Sequence, residues 1–213
     1  GISVAIAGDI IVVGTNDKEA VYVFLTTDGG ATYGQVAKLT ASDAAANDYF
    51  GRSVAISAGI IAIGAMGDVE GGGYSSGSVY LFHTEDDGAT WSEFAFLIAS
   101  DAAAEDYFGS SVAISGVRVV VGAYKDDDAA GDSGAAYLFE APPPPTPQPT
   151  QLPTQRMSSW PQLAKMVASD AAASDEFGRS VAIDGDTVVV GAYRDDDAGS
   201  GSGSVYVFLT TDG

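Results

Sequence analysis

The chain has no cysteine, one histidine (His83) and nine basic residues against 29 acidic ones in 213. Without cysteine there is no disulfide framework and no thiol nucleophile, and the redox compartment leaves no trace in the sequence, although secretion stays open. A net charge of −20 would repel a phosphate backbone or an anionic bilayer, which argues against nucleic acid and membrane-surface partners. Cations are the natural partners. No hydrophobic run approaches the ~20 residues of a membrane span, and no signal peptide is visible. The chain opens inside a repeat, so any targeting segment is expected upstream. A lone histidine, expected on a strand, and serines at 53, 111 and 180 that recur at equivalent positions leave no unique catalytic triad. The expectation is a protein that is not an enzyme.

What the chain does have is repetition. Residues 99–128 recur nearly intact at 41–68 and 168–197, and without their front part at 1–17. The equivalent glycines Gly1, Gly51, Gly109 and Gly178 are spaced by 50, 58 and 69 residues. The first interval is short because a loop has lost eight residues, and the third is long because of a proline-rich insert. A repeat array divides its core into units that lean on their neighbours, so the chain reads as one repeat domain with units near 1–42, 43–100, 101–169 and 170–213.

Each unit reads as four short strands. In the second unit these are 53–57 and 60–63, joined by a tight small-residue turn, then 78–82, and then 93–99, which corresponds to 35–41 and 162–168. The third strand alternates aliphatic with aromatic, so both of its faces are expected to be covered. The link from third to fourth strand fits [S/T]-x-D-x-G-x-T-[aromatic] at 26–33 and 84–91 and begins again at 210–213. It resembles the Asp-box, a hairpin turn on the blades of sialidases and other extracellular proteins. In that turn Asp28 and Asp86 would be structural, bonding their own loop. In the third unit the link is replaced by a proline-rich exposed insert, 142–156, with seven prolines in 142–153, and Trp160 stands where Trp91 and Tyr33 stand. This is either a tolerated insertion or a glycosylated segment, with Thr146, Thr150 and Thr154 as O-glycosylation candidates or the prolines hydroxylated and glycosylated. There is no N-x-[S/T] sequon.

Phe50-Gly51, Phe108-Gly109 and Phe177-Gly178, each followed by Ser-Val-Ala-Ile and then by Gly64-Ala65, Gly122-Ala123 and Gly191-Ala192, resemble FG-GAP repeats. The resemblance to the integrin-α type implies an all-β, β-propeller-type fold of four-stranded antiparallel blades, located outside the cell or at its surface and serving adhesion and ligand binding. The family's D-x-D-x-D-G calcium loop is replaced here by a short turn, and its final proline by Met66, Tyr124 and Tyr193. Four units suit part of a seven-bladed ring, a smaller ring or an open stack.

Two acidic clusters carry the remaining chemistry: Asp126, Asp127 and Asp128 with Asp132, and Asp195, Asp196 and Asp197. Three carboxylates in a glycine-rich loop could hold calcium, and the competing reading is a solvated acidic loop. In the second unit Asp68 and Glu70 stand there, in the first Asp17 and Glu19. The segments carrying Asp43/Asp48, Asp101/Asp106 and Asp170/Asp175 read as one capped helical turn each, structural rather than ligating. Function then reads as an extracellular structural or adhesive repeat whose partners are copies of itself or neighbouring repeats, with a filament among the possibilities. The alternatives are a module binding glycans or extracellular proteins, and a sialidase-like glycosidase fragment.

Overall fold

A computed structural model describes residues 1–15, 19–69, 72–140 and 160–210. The insert with Thr146, Thr150 and Thr154, together with Asp17, Glu70 and residues 211–213, lies outside the described residues. The fifteen strands among the described residues fall into antiparallel meanders. The first sheet is β1 (Ser3–Ala7), β2 (Ile10–Gly14), β3 (Val21–Leu25) and β4 (Gly34–Leu39). The second is β5 (Phe50–Ser57), β6 (Ile60–Ala65), β7 (Ser78–His83) and β8 (Ser92–Leu97). The third is β9 (Phe108–Ser115), β10 (Arg118–Ala123), β11 (Ala135–Glu140) and β12 (Gln162–Met166). The fourth is β13 (Phe177–Asp184), β14 (Thr187–Ala192) and β15 (Ser204–Leu209), three-stranded among the described residues. These are propeller-like blades.

Successive blades pack face to face, and the two-residue period of a strand sorts side chains between two interfaces. Ile61, Ile63, Tyr80 and Phe82 enter the core shared with the first blade, while Ala62, Val79 and Leu81 enter the core shared with the third. Each motif phenylalanine is fully buried and meets two aromatic rings of its own third strand edge-on. Phe108 lies 5.5 Å from Tyr137 and 5.9 Å from Phe139, and Phe177 lies 5.3 Å from Tyr206 and 6.0 Å from Phe208. Trp160, ahead of β12, is buried with its ring 6.0 Å from that of Phe94 in the second blade.

The two motif glycines meet across each interface. Gly51, Gly109 and Gly178 have φ of +92°, +82° and +85°, beside a register shift in their strand pairs. Their carbonyls lie so near Gly14, Gly64 and Gly122 of the preceding blade that a Cβ there would collide with backbone. The same carbonyls accept hydrogen bonds from the hydroxyls of Ser3, Ser53 and Ser111, 2.8 Å in each case. Phe-Gly therefore locks one blade to the one before it.

The expected helical turn is absent, and no helix occurs among the described residues. Residues 42–47, 100–105 and 169–174 instead make consecutive turns. The acid at the end of each segment turns back on it: Asp48 accepts from the Ala45 N–H at 2.6 Å, Asp106 from Ala103 at 2.8 Å and Asp175 from Ala172 at 2.7 Å. Positive φ at Asn47, Glu105 and Ser174, and again at Tyr49, Tyr107 and Glu176, excludes helical continuation. Alanine's helix preference loses to buried side-chain caps.

Candidate functional site

The acidic loop of the third unit builds a three-carboxylate group. Asp126 is buried at the turn after β10, and its carboxylate accepts from the Tyr137 hydroxyl of β11 at 2.5 Å. Asp101, from the turn before β9, accepts from the same hydroxyl at 2.9 Å. Asp128 completes the set, with one oxygen of each residue within 4.8 Å of the others. Into this group runs Lys165 of β12, paired in register with Tyr137. Its ammonium lies 2.9 Å from Asp101, 2.8 Å from Asp126 and 2.7 Å from Asp128. Burial by itself would lower the lysine pKa, but the hydrogen bonds to Asp126, Asp128 and Asp101 outweigh it and hold the group charged, above its ordinary range. Asp101 responds in the opposite sense: burial raises it, and the bonds from Lys165 and Tyr137 bring it below the usual carboxylate value.

The fourth unit repeats the carboxylates, with no ammonium beside them among the described residues. Asp170, Asp195 and Asp197 meet within the same 4.8 Å, and the Tyr206 hydroxyl bridges Asp170 and Asp195 at 2.7 Å each. Among the described residues no fourth strand pairs with β15 to bring a lysine opposite Tyr206. The hydrogen bond from Tyr206 lowers Asp195, whereas the charge of Asp195, followed by that of Asp170, raises Asp197. Among the described residues no lysine or arginine pairs with these three carboxylates. In the second unit the Tyr80 hydroxyl bridges Asp43 and Asp68 at 2.8 and 2.6 Å, and Phe96 stands opposite Tyr80. In the first unit Lys38 stands opposite Tyr22.

The structure therefore groups Asp126, Asp128, Asp195 and Asp197 and leaves Asp127, Asp132 and Asp196 outside both sets. Asp132 lies 3.8 Å from Lys125. Sequence reasoning missed Asp101, Asp170 and Lys165. A usable signal existed in the constant 25-residue separation of Asp43 from Asp68, Asp101 from Asp126 and Asp170 from Asp195.

At the Asp-box-like turns the acids bond their own loop. Asp28 accepts from the Thr32 hydroxyl at 2.6 Å, the Thr32 N–H at 2.9 Å and the Thr26 hydroxyl at 2.7 Å. Asp86 does the same with Thr90 and Thr84, and the Trp91 indole N–H donates to the Gly88 carbonyl at 3.0 Å. The Thr32 hydroxyl and N–H, then Thr26, bring Asp28 from 3.8 to about 2, and Thr90 lowers Asp86. Asp106 moves the other way, to about 6, chiefly because it is buried. A depressed folded pKa gives stability that is present above the unfolded value and lost as pH falls through the folded one, whereas a raised carboxyl gains stability as pH falls. Melting temperature is therefore expected to rise from pH 7 to about pH 4–5 and to fall below it, as read by scanning calorimetry. Asp106→Asn should flatten the upper limb, and Asp28→Asn with Asp86→Asn the lower one.

Several residues of catalytic type make structural contacts. The hydroxyls of Ser53 and Ser111 bond the next blade. His83 has its Nε2 3.6 Å from Glu85, its Nδ1 buried without a partner and its ring edge-on to Phe94 at 5.0 Å. Arg118 pairs with Asp186 and Glu140, and Arg194 with Glu176. Equal repeat positions do converge in one respect. Ile2, Arg52, Ser110 and Arg179, one from each unit, line a single cavity of about 290 Å³ with Met66 and Tyr124.

The pattern of the family described as FG-GAP repeat matches residues 33–82, 91–139 and 160–208, most of the chain. No curated protein matches the chain.

Proposed function

The chain belongs to the FG-GAP repeat family, and from that premise we propose that it is a non-catalytic structural or adhesive module acting outside the cell. The observation that carries this reading is that groups recurring from unit to unit are used between and within blades. The serine hydroxyls hold the next blade's glycine carbonyl, and the tyrosine hydroxyls hold the acidic rim. FG-GAP repeats are typically extracellular binding modules, and no helix among the described residues is long and apolar enough to cross a membrane.

The family commonly binds calcium, and the donor set of the fourth unit fits it. Calcium takes 6–8 oxygens from carboxylates, carbonyls and water. Asp170, Asp195 and Asp197 would hold it, supplying three carboxylates whose mutual repulsion a cation relieves. The third-unit group does not fit, because the Lys165 ammonium already lies among the same carboxylates. The chemistry supplied is a calcium-stiffened rim that presents loops to a ligand.

The test is a panel of glycans and extracellular-matrix proteins probed with immobilised chain, with and without calcium, beside hydrolysis assays on sialosides and other glycosides. Calcium-dependent capture without turnover is the expected result. Turnover of any glycoside, lost on substitution of Arg52 or Arg179, would replace this reading with the glycosidase one.

A further inference from the structure

Basic residues are scarce in this chain, yet two arginines meet at one cavity. Arg52 and Arg179 follow the motif glycine of the second and fourth blades, and Ser110 holds the same position in the third. Strands β5, β9 and β13 thus deliver one polar side chain each to a common space of about 290 Å³, with Met66 and Tyr124 in its wall. Among the described residues no carboxylate lines it, although the sequence carries 29 acidic residues.

The two guanidiniums are poorly neutralised from within. Glu176 lies 3.7 Å from Arg179 but also 3.3 Å from Arg194, so one carboxylate serves two guanidiniums. In the second blade Tyr49 stands where Glu176 stands, and Arg52 makes no ion pair among the described residues. The Glu19 carboxylate, which reaches this blade from the first, accepts from the Phe50 N–H at 2.7 Å. Arg179 is held in place, its guanidinium 4.3 Å from the centre of the Tyr124 ring, which stacks in turn on Tyr107 at 5.5 Å. A guanidinium lying on an aromatic face keeps the N–H donors of its edge free for a ligand. The Ser110 hydroxyl donates to the Gly122 carbonyl at 3.1 Å and so presents its lone pairs as an acceptor.

Arginine forks match carboxylates bidentately. Two forks beside an acceptor hydroxyl suit a small acid that also carries hydroxyl groups, and the volume stands at the lower end of small-molecule sites. We infer that this cavity binds a sugar acid of monosaccharide size, the hexuronic acids being the class, with Arg52 and Arg179 on its carboxylate and Ser110 accepting from one of its hydroxyls. The site shares no residue with the acidic rim and does not depend on the adhesive reading.

The test is calorimetric titration of sodium glucuronate into the whole chain in the presence of chelator, so that failure of the calcium reading leaves the result untouched. One site is expected, with glucose and inorganic phosphate binding at least about tenfold more weakly. Arg52→Lys keeps the charge and loses the fork, and Arg52→Met loses both. Each should weaken glucuronate at least about tenfold while leaving the melting temperature near that of the wild type, because Arg52 has no internal ion pair to lose. Absence of glucuronate binding at ~50 mM would overturn the assignment. Phosphate bound as tightly as glucuronate would overturn it too, since charge alone would then account for the site, and so would glucuronate binding that survives Arg52→Met.

Discussion

Replacing Lys165 with methionine should destabilise the chain by about 3 kcal/mol, the lower end of the range for removing one partner of a buried charge set, which for a chain of this size lowers the melting temperature by roughly 6–12 °C. The loss arises at Asp126, whose side chain is 3% exposed and would be left with no ammonium beside it. The exposure of Asp128 holds the effect below the upper end of the range. Asp126→Asn in the Lys165→Met background should recover part of the loss, because removing both partners costs less than removing one. Calcium should restabilise Lys165→Ala, which reopens the three-carboxylate group. Thermal melts of these three variants and the wild type, with calcium and with chelator, measure all of this.

An equally large effect is expected from one methyl group at Gly122. A Cβ there would overlap the Gly178 carbonyl oxygen and crowd the Ser111 hydroxyl, and the oxygen is backbone that cannot rotate away. Blades three and four would have to separate, at a cost of about 3 kcal/mol or more. Gly191 is the matched control. It is the same position in the fourth blade, where the added Cβ would meet only Ser180, chiefly its rotatable hydroxyl. Gly191→Ala should change chain stability by less than about 1 kcal/mol. Chemical denaturation of the two variants distinguishes them, and equal destabilisation would contradict the backbone-to-backbone contact.

The blades were legible in the sequence because each unit repeats its own evidence. Phe-Gly, the β-branched pairs and the alternation of 78–82 recur in phase, and one reading had to satisfy every copy. The turn at 42–47 was misread because three alanines favour a helix locally, while the carboxylates of Asp48, Asp106 and Asp175 act from the far end of the segment. The acidic rim was half legible. Consecutive aspartates after the Gly-Ala element are conspicuous, but Asp101 and Asp170 come from the linker before the blade. Lys165 arrives from beyond the insert and is placed by its register with Tyr137. Contacts between elements so far apart leave no local pattern.

The difference between a rim group closed by its own lysine and one left open is the claim on which the functional reading turns. Calorimetric titration of calcium into the wild-type chain, into Asp195→Asn and into Lys165→Ala tests it directly. One site is predicted in the wild type, none in Asp195→Asn and two in Lys165→Ala. Two sites in the wild type, no site at all, or one that survives Asp195→Asn would contradict it.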